Sequence, residues 1–161
     1  MAAKRALNGF SLPELVTLIV ILGVLAAVAL PKLNQQATDE GYFAEQVKSA
    51  VRYAQKQAVA QRRTVYVLVS SADVQLCYTV SAPTPPHTCT STLRDVLTGN
   101  PYILTTPSGV TLSSAPSTIS FNGLGQPSAA ATVTVGGKTI AVQAETGYTC
   151  TKKPSEPLLC P

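Results

Sequence analysis

The chain has 161 residues, of which 45% are apolar and only 12% charged against a usual ~25%, with mean hydropathy +0.21 and net charge +4. That is one domain, or one domain with an appendage: too apolar for a disordered chain, too poor in charge for a coiled-coil fibre, and too mildly basic for a dedicated nucleic-acid binder. A single histidine and the lack of HExxH, GxSxG and Walker-type sequences leave no catalytic residues, no metal set and no cofactor cradle to propose, so no enzyme is expected.

The apolarity is concentrated near the start. Residues 1–9 (MAAKRALNG) form a short leader carrying Lys4 and Arg5, and FSLPELVTLIVILGVLAAVAL follows from Phe10 to Leu30. Those 21 residues, as a helix, rise roughly 31 Å, enough for the ~30 Å core of a bilayer. The basic leader keeps the N-terminus cytoplasmic and sends the rest outward. An ordinary secretory signal is one alternative, since Ala27-Val28-Ala29 has the small-residue form that signal peptidase accepts. Glu14 argues against it, because a carboxylate in an apolar helix costs about 2.5–3.5 kcal/mol near the membrane centre and usually has a partner. A Glu14 idle among lipid headgroups is the other reading of that residue.

Gly9-Phe10-Ser11-Leu12-Pro13-Glu14-Leu15, ahead of a long apolar run, resembles the cleavage site of type IV prepilins and type II secretion pseudopilins. The resemblance implies cutting by a prepilin peptidase between Gly9 and Phe10, methylation of the new Phe10 amine, and a mature chain of 152 residues with Glu14 fifth. It implies further that Glu14 pairs with the Phe10 amine of a neighbouring subunit and sets register as helices stack. Gly23 and Pro31 stand where many members have helix-perturbing residues, and bracket a segment that can kink or lose helicity on assembly. Glycine before the cut suits a protease because it leaves the backbone approachable.

Beyond Pro31 a second helical pattern runs on. Phe43, Val47, Ala50, Ala54 and Ala58 recur at steps of four, three, four and four, one face of a helix, with Asp39 near its start and Gly41 a weak point. Together the two apolar patterns predict one kinked helix of about 50 residues, half in the membrane and half on a folded domain. Lys48, Arg52 and Lys56 make a basic stripe on it, followed by Arg62 and Arg63. The stripe reads as a solvated face with local pairing, such as Glu45 with Lys48, ahead of a surface for nucleic acid or an acidic subunit.

From Thr64 the pattern turns to strands. TVYVLV (64–69) and VQLCYTV (74–80) flank Ser70–Asp73 as a hairpin; Ile119–Phe121 is a short strand; Ala131–Val135 and Lys138–Gln143 flank Gly136-Gly137, a strong hairpin signal. Between Ser81 and Ser117 the wealth of Pro, Ser and Thr predicts long surface loops. The fold class is α+β, a long helix packed on an antiparallel β-sheet head. RYAQKQAVAQRRTVYV (52–67), ISFNGLGQPS (119–128) and ETGY (145–148) resemble the H-type pseudopilin group, which includes the H subunit of type II secretion and related minor pilins.

Four cysteines allow three connectivities. In an oxidising compartment the local pairs Cys77–Cys89 and Cys150–Cys160 are the economical assignment. A metal site from Cys77, His87 and Cys89 fits no common zinc spacing, and no metal is expected. Lys152 and Lys153, in a tail closed by the second disulfide, bear a general likeness to basic tails that capture DNA, but the arginine-rich motif of such tails is missing.

The expected organisation is a cleaved leader (1–9), a transmembrane and assembly half-helix (10–31), a periplasmic half-helix (32–63) and a β-rich head (64–161). The expected function is a minor pilin of a type IV pilus-like filament, with an H-type pseudopilin of type II secretion as the alternative and a DNA-capturing uptake pilin third. Implied partners are prepilin peptidase, other pilins or pseudopilins, the inner-membrane assembly platform, and the lipid bilayer before assembly. The implied location is the bacterial inner membrane with the head periplasmic, then an extracellular pilus or periplasmic pseudopilus. No cofactor is implied.

Overall fold

The computed structural model describes residues 11–29, 35–81 and 87–152, the side chains of 26–29 and 35 excepted. Two units separate, residues 1–35 and 36–161. The first holds α1, Leu12–Ala29. Ser11 precedes it, its carbonyl accepting from the N–H groups of Glu14 at 3.0 Å and Leu15 at 3.2 Å. Pro13 lies in the first turn, where its missing N–H leaves no helical bond unmade.

The second unit opens with α2, Gln35–Gln61, which runs through Gly41 without interruption. Its predicted face is the buried one: Phe43, Val47, Ala50, Ala54 and Ala58 are 0–1% exposed, and Ala44 and Val51 join them. The helix ends where Arg62 turns left-handed at φ 50° and the Arg63 N–H reaches back to the Ala58 carbonyl at 3.2 Å. That bond satisfies a carbonyl the helix leaves open. Gly123 packs against this end so closely that a Cβ there would sit 2.9 Å from the Arg62 carbonyl carbon.

Two antiparallel sheets receive α2, where a single sheet was expected. In one, β1 (Val65–Val69) lies between β2 (Asp73–Val80) and β6 (Thr118–Phe121), while β3 (Cys89–Thr92) and β4 (Ile103–Thr105) both pair with the far side of β2. In the other the order is β5 (Leu112–Ala115), β7 (Ala131–Val135), β8 (Lys138–Val142), β9 (Thr149–Lys152). Both predicted hairpins form, with Val69 opposite Val74 and Val135 opposite Lys138 across Gly136-Gly137. β1 and β7 alternate buried and half-buried residues, as one-sided strands do. Val65, Val67, Leu76, Ile119, Phe121, Val133 and Ile140 meet the buried face of α2 in one core.

The described residues 87–117 hold more strand than expected from their Pro, Ser and Thr content, since β3, β4 and β5 fall there. Each is only 3–4 residues long and sits at the border of a sheet, held by backbone pairing more than by an apolar pattern.

Candidate assembly surfaces

α1 has no polar face. Every described side chain from Ser11 to Leu25 is exposed, with Ile19, Leu22 and Val24 at 61%, 62% and 62%. A helix apolar all round its axis needs apolar surroundings on every side. Within the described residues no helix is long and apolar enough to cross a membrane. The 18 residues of α1 rise about 27 Å, under the ~30 Å bilayer core, and the apolar segment 10–30 continues past its described side chains at both ends.

Glu14 is the acid in the first turn of α1. Its side chain is exposed, and the helix dipole favours an anion at that end. The Thr17 hydroxyl donates to the Glu14 carbonyl at 2.9 Å, inside the helix's own framework. α1 runs unbroken through Gly23, because one interior glycine costs only about 1 kcal/mol of helix propensity. Gly9, Phe10 and Pro31 lie outside the described residues.

On the head, the stripe on α2 is locally engaged. Lys48 pairs with Glu45 at 3.3 Å, and the Arg52 guanidinium donates to the Thr149 carbonyl at 2.7 Å, tying α2 to β9. Lys152 is not presented to solvent as its place in a basic tail suggested. It lies in β9 opposite Thr139 and is 7% exposed. Lys153 lies outside the described residues.

Cys77 and Cys89 form a disulfide, which closes the metal alternative with His87; among the described residues no His/Cys/Asp/Glu cluster could hold a metal ion. Cys150 is disulfide-bonded, while its assigned partner Cys160 lies outside the described residues. Tyr102 stacks on Tyr53 with ring centroids 5.3 Å apart, and burial, then Asp95 and Tyr53, push its hydroxyl above the ordinary tyrosine range. It therefore stays neutral at physiological pH.

Sequence reasoning missed the junction that fastens the head together. The Gln55 amide on α2 donates to the Gly125 carbonyl at 2.9 Å and to the Thr146 carbonyl at 2.8 Å, joining the 122–126 loop to the 143–148 turn. Its traces in the sequence are the glycines of ISFNGLGQPS and ETGY. Also unforeseen are two exposed apolar points, Val96 with Leu97 between β3 and β4, and Leu124 beside Val59 at the end of α2.

The head's fold is similar to that of the type IV minor pilin FimU of Pseudomonas aeruginosa. One crystal form shares 15% identity at TM-score 0.50, covering 70% of this chain and 92% of that one. A second shares 13% at TM-score 0.53, covering 76% and 92%. The minor pseudopilin EpsH of the Vibrio cholerae type 2 secretion system shares 12% at TM-score 0.51, covering 73% of this chain and 99% of that one. No curated protein sequence matches the chain. Residues 44–148, from the buried face of α2 to the turn before β9, match the family model of the type II transport protein GspH. The chain belongs to the type II transport protein GspH family.

Proposed function

We propose that the chain is a minor pilin, a structural subunit held in the bacterial inner membrane by its N-terminal helix and assembled through that helix into a type IV pilus-like filament. The observation that carries this reading is α1: apolar around its circumference, acidic only in its first turn, and attached to a head of the pilin fold. The leader 1–9 is removed by prepilin peptidase after Gly9, and the Phe10 amine is methylated. The apolar segment 10–30 leaves lipid for a bundle of like helices, and the exported residues 41–161, with nine basic and five acidic side chains, face the periplasm or the exterior. Other pilins or pseudopilins, and the assembly platform, are the partners; the chain's work is packing, not chemistry.

The family match and the likeness to EpsH also support an H-type pseudopilin of a type II secretion system. Genes for pilus or for secretion machinery beside this one separate the two. Of the two residues proposed for DNA capture, Lys152 is buried and Lys153 lies outside the described residues.

Intact-mass spectrometry of sheared surface filaments tests the reading. The expected species begins at Phe10, lacks residues 1–9 and carries one added methyl group. Gly9 replaced by a bulky residue leaves the leader in place, because a side chain obstructs the backbone approach that glycine permits. Normal loss of the leader from that variant overturns the processing.

A further inference from the structure

We propose that the outward side of the C-terminal half of α2, together with the Leu124 loop beside it, docks an acidic surface of a different filament subunit. The inference rests on the minor-pilin reading above and adds to it the chemistry of a partner for the head.

The face is defined by its charge. Residues 46–72 contain no acid, while the five cations Lys48, Arg52, Lys56, Arg62 and Arg63 fall within them. Local pairing accounts for Lys48 alone among these, through its ion pair with Glu45. Arg52, Lys56 and Val59, at steps of four and three, share one exposed side of the helix, and Arg62 and Arg63 follow at its end, both exposed. Two of the guanidinium groups are held in place, Arg52 by its 2.7 Å bond to the Thr149 carbonyl and Arg63 by lying 4.1 Å over the Tyr78 ring. A guanidinium has five N–H donors, so one bond leaves the rest for an incoming acid, with less side-chain freedom to lose on docking.

An apolar point lies among the cations. Val59 is 47% exposed and Leu124 80%, and with Arg62, Asn122 and Gly123 they line a hollow of about 680 Å³. The loop that carries Leu124 is braced. The Asn122 side chain accepts from the N–H groups of Leu124 at 2.9 Å and Gln126 at 3.0 Å, and the Gln55 amide holds the Gly125 carbonyl. Aliphatic residues bordered by arginines match the anatomy of a protein interface, an apolar centre within a polar rim. A nucleic acid would meet the cations with its phosphates and leave Leu124 in water.

Charge complementarity selects a different subunit over a second copy. Among the described residues the acids of this head are scattered and mostly engaged. Glu45 pairs with Lys48, and Glu40 accepts from the Gly137 N–H at 3.5 Å. Asp73 accepts from the Ser70 hydroxyl at 2.6 Å and the Gln75 amide at 2.8 Å, and Asp95 from the Leu97 N–H and the Thr98 hydroxyl. Asp39 and Glu145 remain. Asp39 lies near the start of α2, and the turn holding Glu145 is bonded at Gln55, about 24 Å further along the helix. A second copy therefore brings no acidic surface to the cations, whereas a subunit of another sequence can. That suits a subunit present in few copies, whose neighbours are unlike itself. Rim charges of this kind choose the partner and speed its approach more than they add affinity. Val59 and Leu124 fall short of the roughly 800 Å² per partner of a stable free complex, so the contact works between subunits already held side by side by their N-terminal helices.

Carbodiimide, which joins a lysine amine to a carboxylate in contact with it, tests the proposal on sheared filaments that carry the full chain. Peptide sequencing is expected to find Lys56 joined to an Asp or Glu of a different subunit, and Lys56→Gln to remove that product. Arg62→Glu and Leu124→Ser are each expected to lower its yield per incorporated chain several-fold. Arg62→Lys, which keeps the charge, is expected to retain most of it. Lys56 joined to a second copy of this chain, loss of the product when nuclease precedes the carbodiimide, or a parent-level yield from Arg62→Glu or Leu124→Ser overturns the proposal. Absence of any Lys56 product from filaments that contain the chain overturns this contact alone. Absence of the unsubstituted chain from filaments overturns the filament reading and the contact with it.

Discussion

Gly147 is one of the tight points of the head. It is buried at φ 68°, and a Cβ there would sit 2.5 Å from the Gln55 amide nitrogen and 2.6 Å from the Gly125 carbonyl oxygen. Alanine meets two costs at that position. The left-handed conformation costs roughly 1–2 kcal/mol for a residue with a Cβ, and displacement of the Gln55 amide loses hydrogen bonds worth about 1 kcal/mol each. Gly147→Ala is therefore expected to lower the stability of the full chain by about 2–3 kcal/mol, read as a fall in the urea midpoint in detergent. Gly137 offers the contrast: nothing lies within 4 Å of a Cβ there, and Gly137→Ala should stay within about 0.5 kcal/mol. Equal effects from the two would contradict the role given to the Gln55 junction. The sequence shows the glycines but not this difference between them, because only folding brings α2, the 122–126 loop and the 143–148 turn to one point.

At the scale of elements, periodicity carried most of the reading where one face is apolar. The face Phe43, Val47, Ala50, Ala54, Ala58 is buried as read, and the hairpins 65–80 and 131–142 form with their expected turns. The same rule is silent for β3, β4 and β5, whose CTST, ILT and LSSA carry too few apolar residues to display a period. For that reason the split into two sheets was not legible. The bonding of the 95–100 turn by Asp95 was hidden likewise, inside a stretch read only as a long loop. One covalent feature of this region was read from export and cysteine spacing, the Cys77–Cys89 bridge, which ties β3 to β2 where their pairing slips register. Its sequence separation is 12 residues, and chain entropy for a loop near that size gives roughly 3 kcal/mol. The double variant Cys77→Ala/Cys89→Ala is accordingly expected to unfold several degrees lower than the parent in a thermal scan. An unchanged midpoint would show that the short strands hold without the bridge.

At the scale of the whole molecule the charge is segregated. Residues 1–40 carry three basic and three acidic side chains, so the net +4 belongs to the exported remainder. In the assembly segment Glu14 alone is charged, since 15–30 has no charged residue. Moving such a helix from lipid into a bundle of like helices exchanges one apolar surrounding for another, which gives packing energy but little hydrophobic drive and no preferred axial offset. A lone carboxylate supplies that offset, because every register but one leaves it unpaired in a medium of low dielectric. With an amine about 4 Å away, the attraction at an effective dielectric near 20 is on the order of 4 kcal/mol, reduced by the cost of removing both charges from water. Even about 1.4 kcal/mol of net preference would favour the paired register tenfold. If the proposed cleavage after Gly9 precedes assembly, Glu14→Ala should leave it intact while incorporation falls at least about tenfold. The measurement is the ratio of chain in sheared filaments to mature chain in the membrane fraction, with intact mass confirming that the leader is gone. Incorporation at the parent level would mean that Glu14 rests among lipid headgroups and that register comes from contacts between heads alone.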